Sequence, residues 1–316
     1  MVMINLNKYI QSINRVEFVM TDACTSRCKH CSEGYLQGKN RLRADVAVRA
    51  LTEMTKYYEI NSIMTFGGEP LLCSEEVAKI HTAASQCDIK QRQIITNGCF
   101  SRDKKRITEV ARLLEESGVN DILLSVDCFH AEHLPLEWVK CFAVALKTHY
   151  SGEFRLQPSW VRNRDEDNPY NQKTRECLAY FDELEIEHAD GNIIFPQGNA
   201  IKYLSEYFEK KPINPDFRCG DAIYSSDLLH VNGISINSNG DVIPCSFPIG
   251  NLYRDSIIDI IQNYNPFRYP LTKALVESGI SGLIQQAKEQ GIDIDVDKYY
   301  SPCEICHEIF NRVRVN

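Results

Sequence analysis

The first two thirds of the sequence repeat one pattern, in which a short apolar or β-branched segment is followed by a turn and a helical segment. Such alternation is typical of β-α-β units that build a parallel sheet. About six units are present, too few for a closed eight-fold barrel. The pattern therefore predicts a curled, partly open barrel or a doubly wound sheet. The predicted strands are residues 15–20, 62–66, 92–96, 121–126, 153–159 and 192–195.

Helical periodicity fills the segments between these strands. The predicted helices are residues 45–58, 74–87, 102–117 and 136–149, with Asp45 expected to cap the first and Gly118 to end the third. The alternation stops near residue 210, where two prolines indicate a linker. A β-hairpin is predicted over residues 233–244 and short helices over 255–264 and 280–290. We therefore expect one domain over residues 1–211 and a smaller α+β domain over residues 212–316.

Composition and charge exclude several classes of protein. The 316 residues carry a formal net charge of −8, which argues against a nucleic-acid partner. No segment reaches the roughly 20 apolar residues that span a bilayer, which argues against a membrane partner. The first residues lack the basic and apolar stretches of a secretory signal. We therefore expect a cytoplasmic protein.

Cysteine is unusually frequent, with 13 residues in a chain that shows no export signal. Clustered cysteines in such a chain bind metal or carry out redox chemistry rather than form a disulfide framework. Cys24, Cys28 and Cys31 form a C-x3-C-x2-C group after the first predicted strand. These thiolates suit an iron–sulfur cluster with one iron free of protein ligands, or a zinc ion that lacks a nearby fourth ligand. His30, inside the two-residue spacer, is expected to point away.

A Gly-Gly-Glu-Pro motif follows the second predicted strand, at Gly67, Gly68, Glu69 and Pro70. Two glycines permit close approach of the backbone or a positive φ at a strand end. Alone, the motif indicates only a turn. Because the carboxyl ends of parallel strands share one face, we expect it to lie beside the cysteine group.

The order of these motifs resembles the radical S-adenosylmethionine (radical SAM) superfamily. Thr-Asn-Gly at 96–98 and Ser-Val-Asp at 125–127 complete the resemblance, which covers about residues 15–200. It implies a partial (β/α)6 TIM-like barrel in which Cys24, Cys28 and Cys31 hold a 4Fe–4S cluster. The remaining iron would bind the amino and carboxylate groups of SAM. Reductive cleavage of SAM, with an electron donor such as flavodoxin or ferredoxin, would give a 5′-deoxyadenosyl radical that abstracts a substrate hydrogen.

The same resemblance implies a set of SAM contacts. The glycines and the glutamate of the Gly-Gly-Glu-Pro motif would meet the amino group, and the Ser-x-Asp residues would lie near the ribose or methionine end. The implied contacts are Gly67, Gly68, Glu69, Asn97, Ser125 and Asp127. Many relatives carry an arginine shortly after the Ser-x-Asp motif, which this chain lacks. Lys140, Arg155 or a backbone group could bind the SAM carboxylate instead.

Four further cysteines lie beyond residue 212, namely Cys219, Cys245, Cys303 and Cys306. The context of Cys245 resembles the auxiliary-cluster extensions called SPASM and twitch. Four cysteines suffice for one additional 4Fe–4S cluster, which favours the shorter, twitch-like form. A zinc ion with four thiolate ligands is the alternative. The segment 196–200 also resembles one found before such extensions, although Asn199 stands where an arginine is common.

Other residues at the same face have competing explanations. A thiol at Cys128 or Cys99 could return a hydrogen atom to a substrate radical, and Cys128 is the predicted catalytic residue; packing is the alternative for both. His130 and His133 resemble metal ligands, but the seven grouped cysteines already account for the clusters. A substrate-facing loop or capped turn is the alternative.

These features predict a radical SAM enzyme, an iron–sulfur oxidoreductase or peptide maturase. Its predicted activity is crosslinking or epimerisation of a ribosomally made peptide or protein. A dehydrogenase or epimerase of a small molecule, such as an aminosugar or alcohol, is the alternative. A non-catalytic iron–sulfur or zinc protein would have no need of the SAM motifs. The acidic net charge would suit a basic peptide, while the sequence leaves the substrate and the oligomeric state open.

Overall fold

A computed structural model describes residues 6–34, 38–222 and 225–315. In chain order, β1 to β10 are Arg15–Val19, Ser62–Phe66, Gln91–Thr96, Asp121–Ser125, Glu153–Gln157, Ser159–Trp160, Asn192–Ile193, Gly233–Ile236, Asp241–Ile243 and Gly250–Asn251. Helices α1 to α10 are Ala44–Met54, Ser74–Gln86, Lys104–Glu116, Cys128–Ala131, Leu136–His149, Pro169–Ala179, Asn199–Leu204, Ile257–Gln262, Pro270–Glu289 and Pro302–Val315. Within these residues, no helix is both long and apolar enough to cross a bilayer.

The main sheet has the strand order β10-β9-β8-β1-β2-β3-β4-β5, and β1 to β5 run parallel. Strands β6 and β7 form a separate parallel pair. Consecutive strands are neighbours, and α1 packs on α2, α2 on α3 and α3 on α5. Sequential strand order with one continuous layer of helices is the arrangement of a partial barrel rather than of a doubly wound sheet. The predicted α/β fold is confirmed.

Helix ends agree with the sequence prediction at one site and differ at another. Gly118 follows the last residue of α3 with φ +78°, as a glycine that ends a helix does. The cap predicted at Asp45 is wrong, because α1 begins one residue earlier, at Ala44, with Arg43 as its cap residue. Asp45 lies in the first turn, and its carboxylate pairs with the Arg43 guanidinium at 2.6 Å.

The predicted hairpin forms between β8 and β9, and it extends the main sheet. β8 pairs in parallel with β1, placing Ile234 opposite Val16 and Ile236 opposite Phe18. All four side chains are buried. Strand pairing therefore joins the C-terminal region to the barrel, whereas the division at residue 211 stays a prediction.

Helix α8 lies within the predicted helix at 255–264, whereas α9 and α10 depart from the sequence prediction. The predicted helix at 280–290 is the second half of α9, whose backbone is interrupted at Gly279, where φ is +67°. Helix α10, which carries Cys303 and Cys306, was not predicted. The strand predicted at 153–159 divides into β5 and β6.

We predict that a chain ending at residue 211 is strongly destabilised. The truncation removes β8, so the edge of β1 loses its partner strand and Val16 and Phe18 lose their cover. Each uncovered side chain costs about 1.5–3 kcal/mol. Chemical unfolding followed by circular dichroism measures the effect. A truncated chain as stable as the full chain would contradict the continuity of the sheet.

Candidate active site

A cavity of about 820 Å³ opens at the carboxyl ends of the parallel strands. Cys24, Cys28 and Cys31 line it from the loop after β1. The ends of β2 to β5 contribute further walls, as the parallel topology predicts. The predicted contacts that line the cavity are Gly67, Gly68, Asn97 and Ser125.

The cysteine loop is fastened to the end of β2 by backbone hydrogen bonds. Gly68 N donates to Thr21 O at 2.7 Å, and Glu69 N donates to Ala23 O at 2.8 Å. A Cβ atom on Gly68 would lie 2.1 Å from Ala23 O, and Gly67 has φ +135°. Both positions therefore require glycine, which explains the pair in the sequence.

The Glu69 side chain lies beneath this junction rather than in the cavity. Its carboxylate is fully buried and accepts hydrogen bonds from Leu71 N at 3.0 Å, Thr96 Oγ1 at 2.6 Å and Asn97 N at 2.8 Å. Burial raises its pKa, and the three donors oppose that rise. Glu69 thus joins the ends of β2 and β3, while its contact with SAM stays a prediction.

Asn97 connects the end of β3 to the cysteine loop. Its Nδ2 donates to Thr25 Oγ1 at 3.1 Å and lies 3.7 Å from Cys24 Sγ. Its Oδ1 accepts from Cys99 N at 2.9 Å. The side chain is therefore oriented before any ligand binds.

Asp127 is fully buried at the start of α4 and is absent from the cavity lining. Its Oδ1 accepts from Phe129 N at 3.0 Å and His130 N at 2.9 Å. Nδ1 of His130 lies 2.9 Å from both carboxylate oxygens. Burial alone would raise the pKa of Asp127 and lower that of His130, but their mutual attraction reverses both shifts. Asp127 therefore orients His130, and its predicted contact with SAM stays a prediction.

His30 faces the site, so the prediction that it points away is wrong. A turn closed by Cys31 N donating to Cys28 O brings its ring 4.9 Å from the Phe129 ring and 5.1 Å from the His130 ring. One ligand atom from each of Cys28, His30 and His130 lies within 4.8 Å of the others. Burial lowers the pKa of His30 to about 4. His133, by contrast, is exposed.

The start of α7 is hydrogen-bonded to the cysteine loop. Asn199 N donates to Cys31 O at 3.0 Å, and its Nδ2 donates to Cys28 O at 3.0 Å. Gly198 has φ +59°, and a Cβ atom there would lie 2.4 Å from Ser32 O. From the sequence, Asn199 was noted only because it stands where an arginine is common. The glycine directly before it was the sequence feature that could have indicated this close approach.

Neither cation proposed for the SAM carboxylate reaches the cavity. Lys140 pairs with Glu183 at 2.8 Å and is absent from the cavity lining. Arg155 pairs with Asp121 at 2.7 Å, and Asp121 begins β4 at the opposite end of the sheet. Both side-chain assignments are therefore wrong. Cationic side chains that do line the cavity include Arg27, Lys39 and Lys202.

The other four grouped cysteines converge beyond the hairpin. Cys219 Sγ lies 3.9 Å from Cys245 Sγ. This hydrogen bond lowers the pKa of Cys245 to about 7 and raises that of Cys219. Burial, followed by the charge of Cys245, raises the pKa of Cys303 to about 11 and that of Cys306 still further. Four thiols that influence one another's pKa in this way lie in one region, and metal binding would favour their thiolate forms.

The two strand-end thiols considered as hydrogen donors are both packed in apolar surroundings. Cys128 is 5% exposed, lies against Phe129 and Val161, and is absent from the cavity lining. Burial raises its pKa to about 12. Cys99 belongs to the main core. These positions favour packing, and the catalytic role of Cys128 stays a prediction.

Comparison with known families matches both regions of the chain. A family model described as the radical SAM superfamily matches residues 18–151. An iron–sulfur cluster-binding domain model, SPASM, matches residues 230–307. The first match contains Cys24, Cys28 and Cys31, and the second contains three of the four C-terminal cysteines. An iron–sulfur cluster is therefore favoured over zinc in the C-terminal region.

Named relatives cover different shares of the chain. A GTP 3′,8-cyclase of Lactiplantibacillus plantarum is 24% identical over 236 residues, which cover 70% of this chain and 67% of that protein. A GTP 3′,8-cyclase of Clostridium acetobutylicum is 28% identical over 131 residues, or 40% of this chain and 39% of that protein. The solved structure of native anSMEcpe with bound AdoMet and Cp18Cys peptide has a TM-score of 0.53 at 14% identity. That match covers 96% of this chain and 97% of that one, which shows the same fold.

We predict that the two cysteine groups bind iron independently. After anaerobic reconstitution, the wild type should hold about eight irons, four for each 4Fe–4S cluster. Replacement Cys28→Ala or Cys245→Ala should lower the content to about four by removing one cluster. Cys87→Ala is the matched control, because this half-buried cysteine lies outside both groups. Iron, zinc and sulfide analysis measures the result; a zinc ion in place of four irons would contradict it.

Proposed function

Because the chain belongs to the radical SAM superfamily and carries a C-terminal iron–sulfur cluster-binding domain, we propose that it modifies a ribosomally made peptide or protein. Its cofactors are SAM, a 4Fe–4S cluster and an auxiliary iron–sulfur cluster. The predicted modifications are a crosslink or an epimerisation, and the exposed apolar rim of the cavity is the observation that favours a peptide.

The described residues fit these cofactors. We propose that Cys24, Cys28 and Cys31 hold the first cluster, because their thiols share one cavity wall. Burial raises the pKa of both Cys24 and Cys31 to about 11, so these residues need a metal centre to become thiolates. The auxiliary ligands we propose are Cys219, Cys245, Cys303 and Cys306. When bound, the cluster and SAM supply a 5′-deoxyadenosyl radical.

We propose that the remaining residues of the cavity wall bind and orient SAM. Asn97 and Ser125 offer an amide and a hydroxyl beside the cysteines, and Gly67 and Gly68 lie in the same cavity wall. We propose that these four residues contact SAM. Glu69 and Asp127 support them from beneath by fixing Asn97 and the start of α4.

An apolar rim at the mouth of the cavity supports a peptide substrate. Ile193 is 57% exposed and Tyr203 is 46% exposed, and Phe195 is also exposed. Ile193 belongs to β7, whose described strand partner is β6 alone. A strand edge that has no partner among the described residues, beside exposed apolar side chains, is a common type of binding surface for an extended peptide. In the anSMEcpe structure, which shares the fold, a peptide is also bound.

Charge inside the cavity differs from the charge of the whole chain. The cavity-lining cations are accompanied by two carboxylates, those of Asp22 and Glu33. Asp22 is engaged by Asn40 at 2.8 Å and by Ser238. We therefore propose a peptide with an acidic side chain near the reacting residue, in place of the basic peptide that net charge alone would favour.

The substrate class can be tested with deuterated candidates. The reduced holoenzyme is incubated with SAM and either perdeuterated acidic–apolar peptides, basic–apolar peptides of matched length, or deuterated GTP. Deuterium in 5′-deoxyadenosine, read by mass spectrometry, identifies the molecule that loses hydrogen. Transfer from acidic–apolar peptides is expected. Transfer from GTP, with none from any peptide, would contradict the proposal.

We predict that Tyr203→Ala weakens substrate binding without changing the clusters. Loss of an exposed aromatic anchor at the rim should raise KM about fivefold to tenfold, corresponding to about 1 kcal/mol. Tyr269→Ala is the matched control, since Tyr269 is 58% exposed and absent from the cavity lining. Steady-state kinetics with the reactive peptide measure both variants. Equal KM values for Tyr203→Ala and the wild type would exclude the rim from binding.

A further inference from the structure

His130 and Asp127 form a hydrogen-bonded pair beside Cys28. The proposed binding of a peptide gives this pair no role. The His130 side chain is 17% exposed and the Asp127 side chain is fully buried. His130 was not expected to bind metal, because the grouped cysteines already account for the clusters. In the structure, the ring lies against one of those cysteines.

The orientation of the His130 ring is determined by Asp127. Both carboxylate oxygens lie 2.9 Å from Nδ1, and the carboxylate itself is held by two backbone N–H groups of α4. Because Nδ1 is directed to Asp127, the other ring nitrogen remains for Cys28. A ligand atom of the ring lies within 4.8 Å of Cys28 Sγ.

Cys24 and Cys28 have different polar neighbours. Cys24 Sγ lies 3.4 Å from the backbone N of Ser26 and 3.7 Å from Nδ2 of Asn97. Cys28 Sγ lies 2.9 Å from Oγ of Ser26 and within 4.8 Å of a ring nitrogen of His130. The sulfur of Cys28 therefore lies near His130, whose ring is paired with the buried carboxylate of Asp127.

We propose that His130, held by Asp127, is a positioning residue that donates a hydrogen bond to the Cys28 sulfur and makes the reduction potential of the first cluster less negative. Reduction adds negative charge that is shared with the cysteine sulfurs. A donor directed at one of these sulfurs stabilises the reduced form more than the oxidised form. The inference concerns the cluster alone and holds whether the substrate is a peptide or a small molecule.

The neighbouring His30 keeps the ring in place. Its imidazole meets the His130 ring at an interplanar angle of 68° and also packs on Phe129. Phe129 in turn stacks on Tyr170, at 5.0 Å between ring centroids. An aromatic wall therefore limits rotation of His130 away from Cys28.

The experiment is a redox titration of the reconstituted, full-length protein without substrate, followed by electron paramagnetic resonance. The first cluster is identified as the signal that changes when SAM is added, and the auxiliary cluster serves as an internal reference. In His130→Ala, the ratio of reduced to oxidised first cluster at the wild-type midpoint should fall about tenfold, equivalent to about 59 mV for one electron. The auxiliary signal should keep its midpoint.

Further variants separate this role from a structural one. His130→Gln retains a side-chain N–H donor and should restore part of the potential. Asp127→Asn keeps an oxygen that can cap α4 but removes the charge that orients the ring, so it should shift the potential in the same direction as His130→Ala. His133→Ala is the matched control, because this nearby histidine is exposed.

Two results would overturn the proposal. In the first, His130→Ala carries a fully loaded first cluster whose midpoint equals that of the wild type. In the second, His130→Ala and His130→Gln both lose the irons of the first cluster, which would make His130 a metal ligand rather than a hydrogen-bond donor. Iron analysis of each variant distinguishes these results, and neither depends on the identity of the substrate.

Discussion

The arrangement of the site depends on the buried carboxylate of Glu69. It accepts hydrogen bonds from Leu71, Thr96 and Asn97, so one side chain joins the ends of two neighbouring strands. Its own backbone N–H donates to Ala23 in the cysteine loop. Because a buried carboxylate that loses its partners is costly, this network stabilises one geometry of the three strand ends. Cysteines on a loop fastened in this way can form a metal site that is preorganised.

A second constraint comes from the C-terminal hairpin. β8 completes the sheet beside β1, and Ser238 in the hairpin turn binds the Asp22 carboxylate just before Cys24. Cys245 follows the second strand of the same hairpin. The two groups of cysteines are therefore connected through one sheet.

Sequence reasoning succeeded where a residue's role follows from local pattern. Strand β2 and helix α5 have the predicted bounds, since turn-forming residues flank them: Asn61 and Gly67 for β2, Pro135 and Gly152 for α5. The directions of His30 and His130 could not be predicted, because they depend on a packing contact between two distant loops. The role of Asn199 was hidden for the same reason, since its partners lie about 170 residues earlier in the chain. Helix α10 was missed because Cys303 and Cys306 were interpreted only as cluster ligands, although Cys306, Ile309 and Val313 follow helical spacing.

The most direct test of this account is whether the reduced protein cleaves SAM at the first cysteine group. The reconstituted wild type is reduced anaerobically with dithionite in the presence of SAM, and 5′-deoxyadenosine is quantified by liquid chromatography. The account predicts 5′-deoxyadenosine from the wild type and none from Cys28→Ala. A wild type with a loaded first cluster that forms no 5′-deoxyadenosine would contradict it, as would undiminished formation by Cys28→Ala.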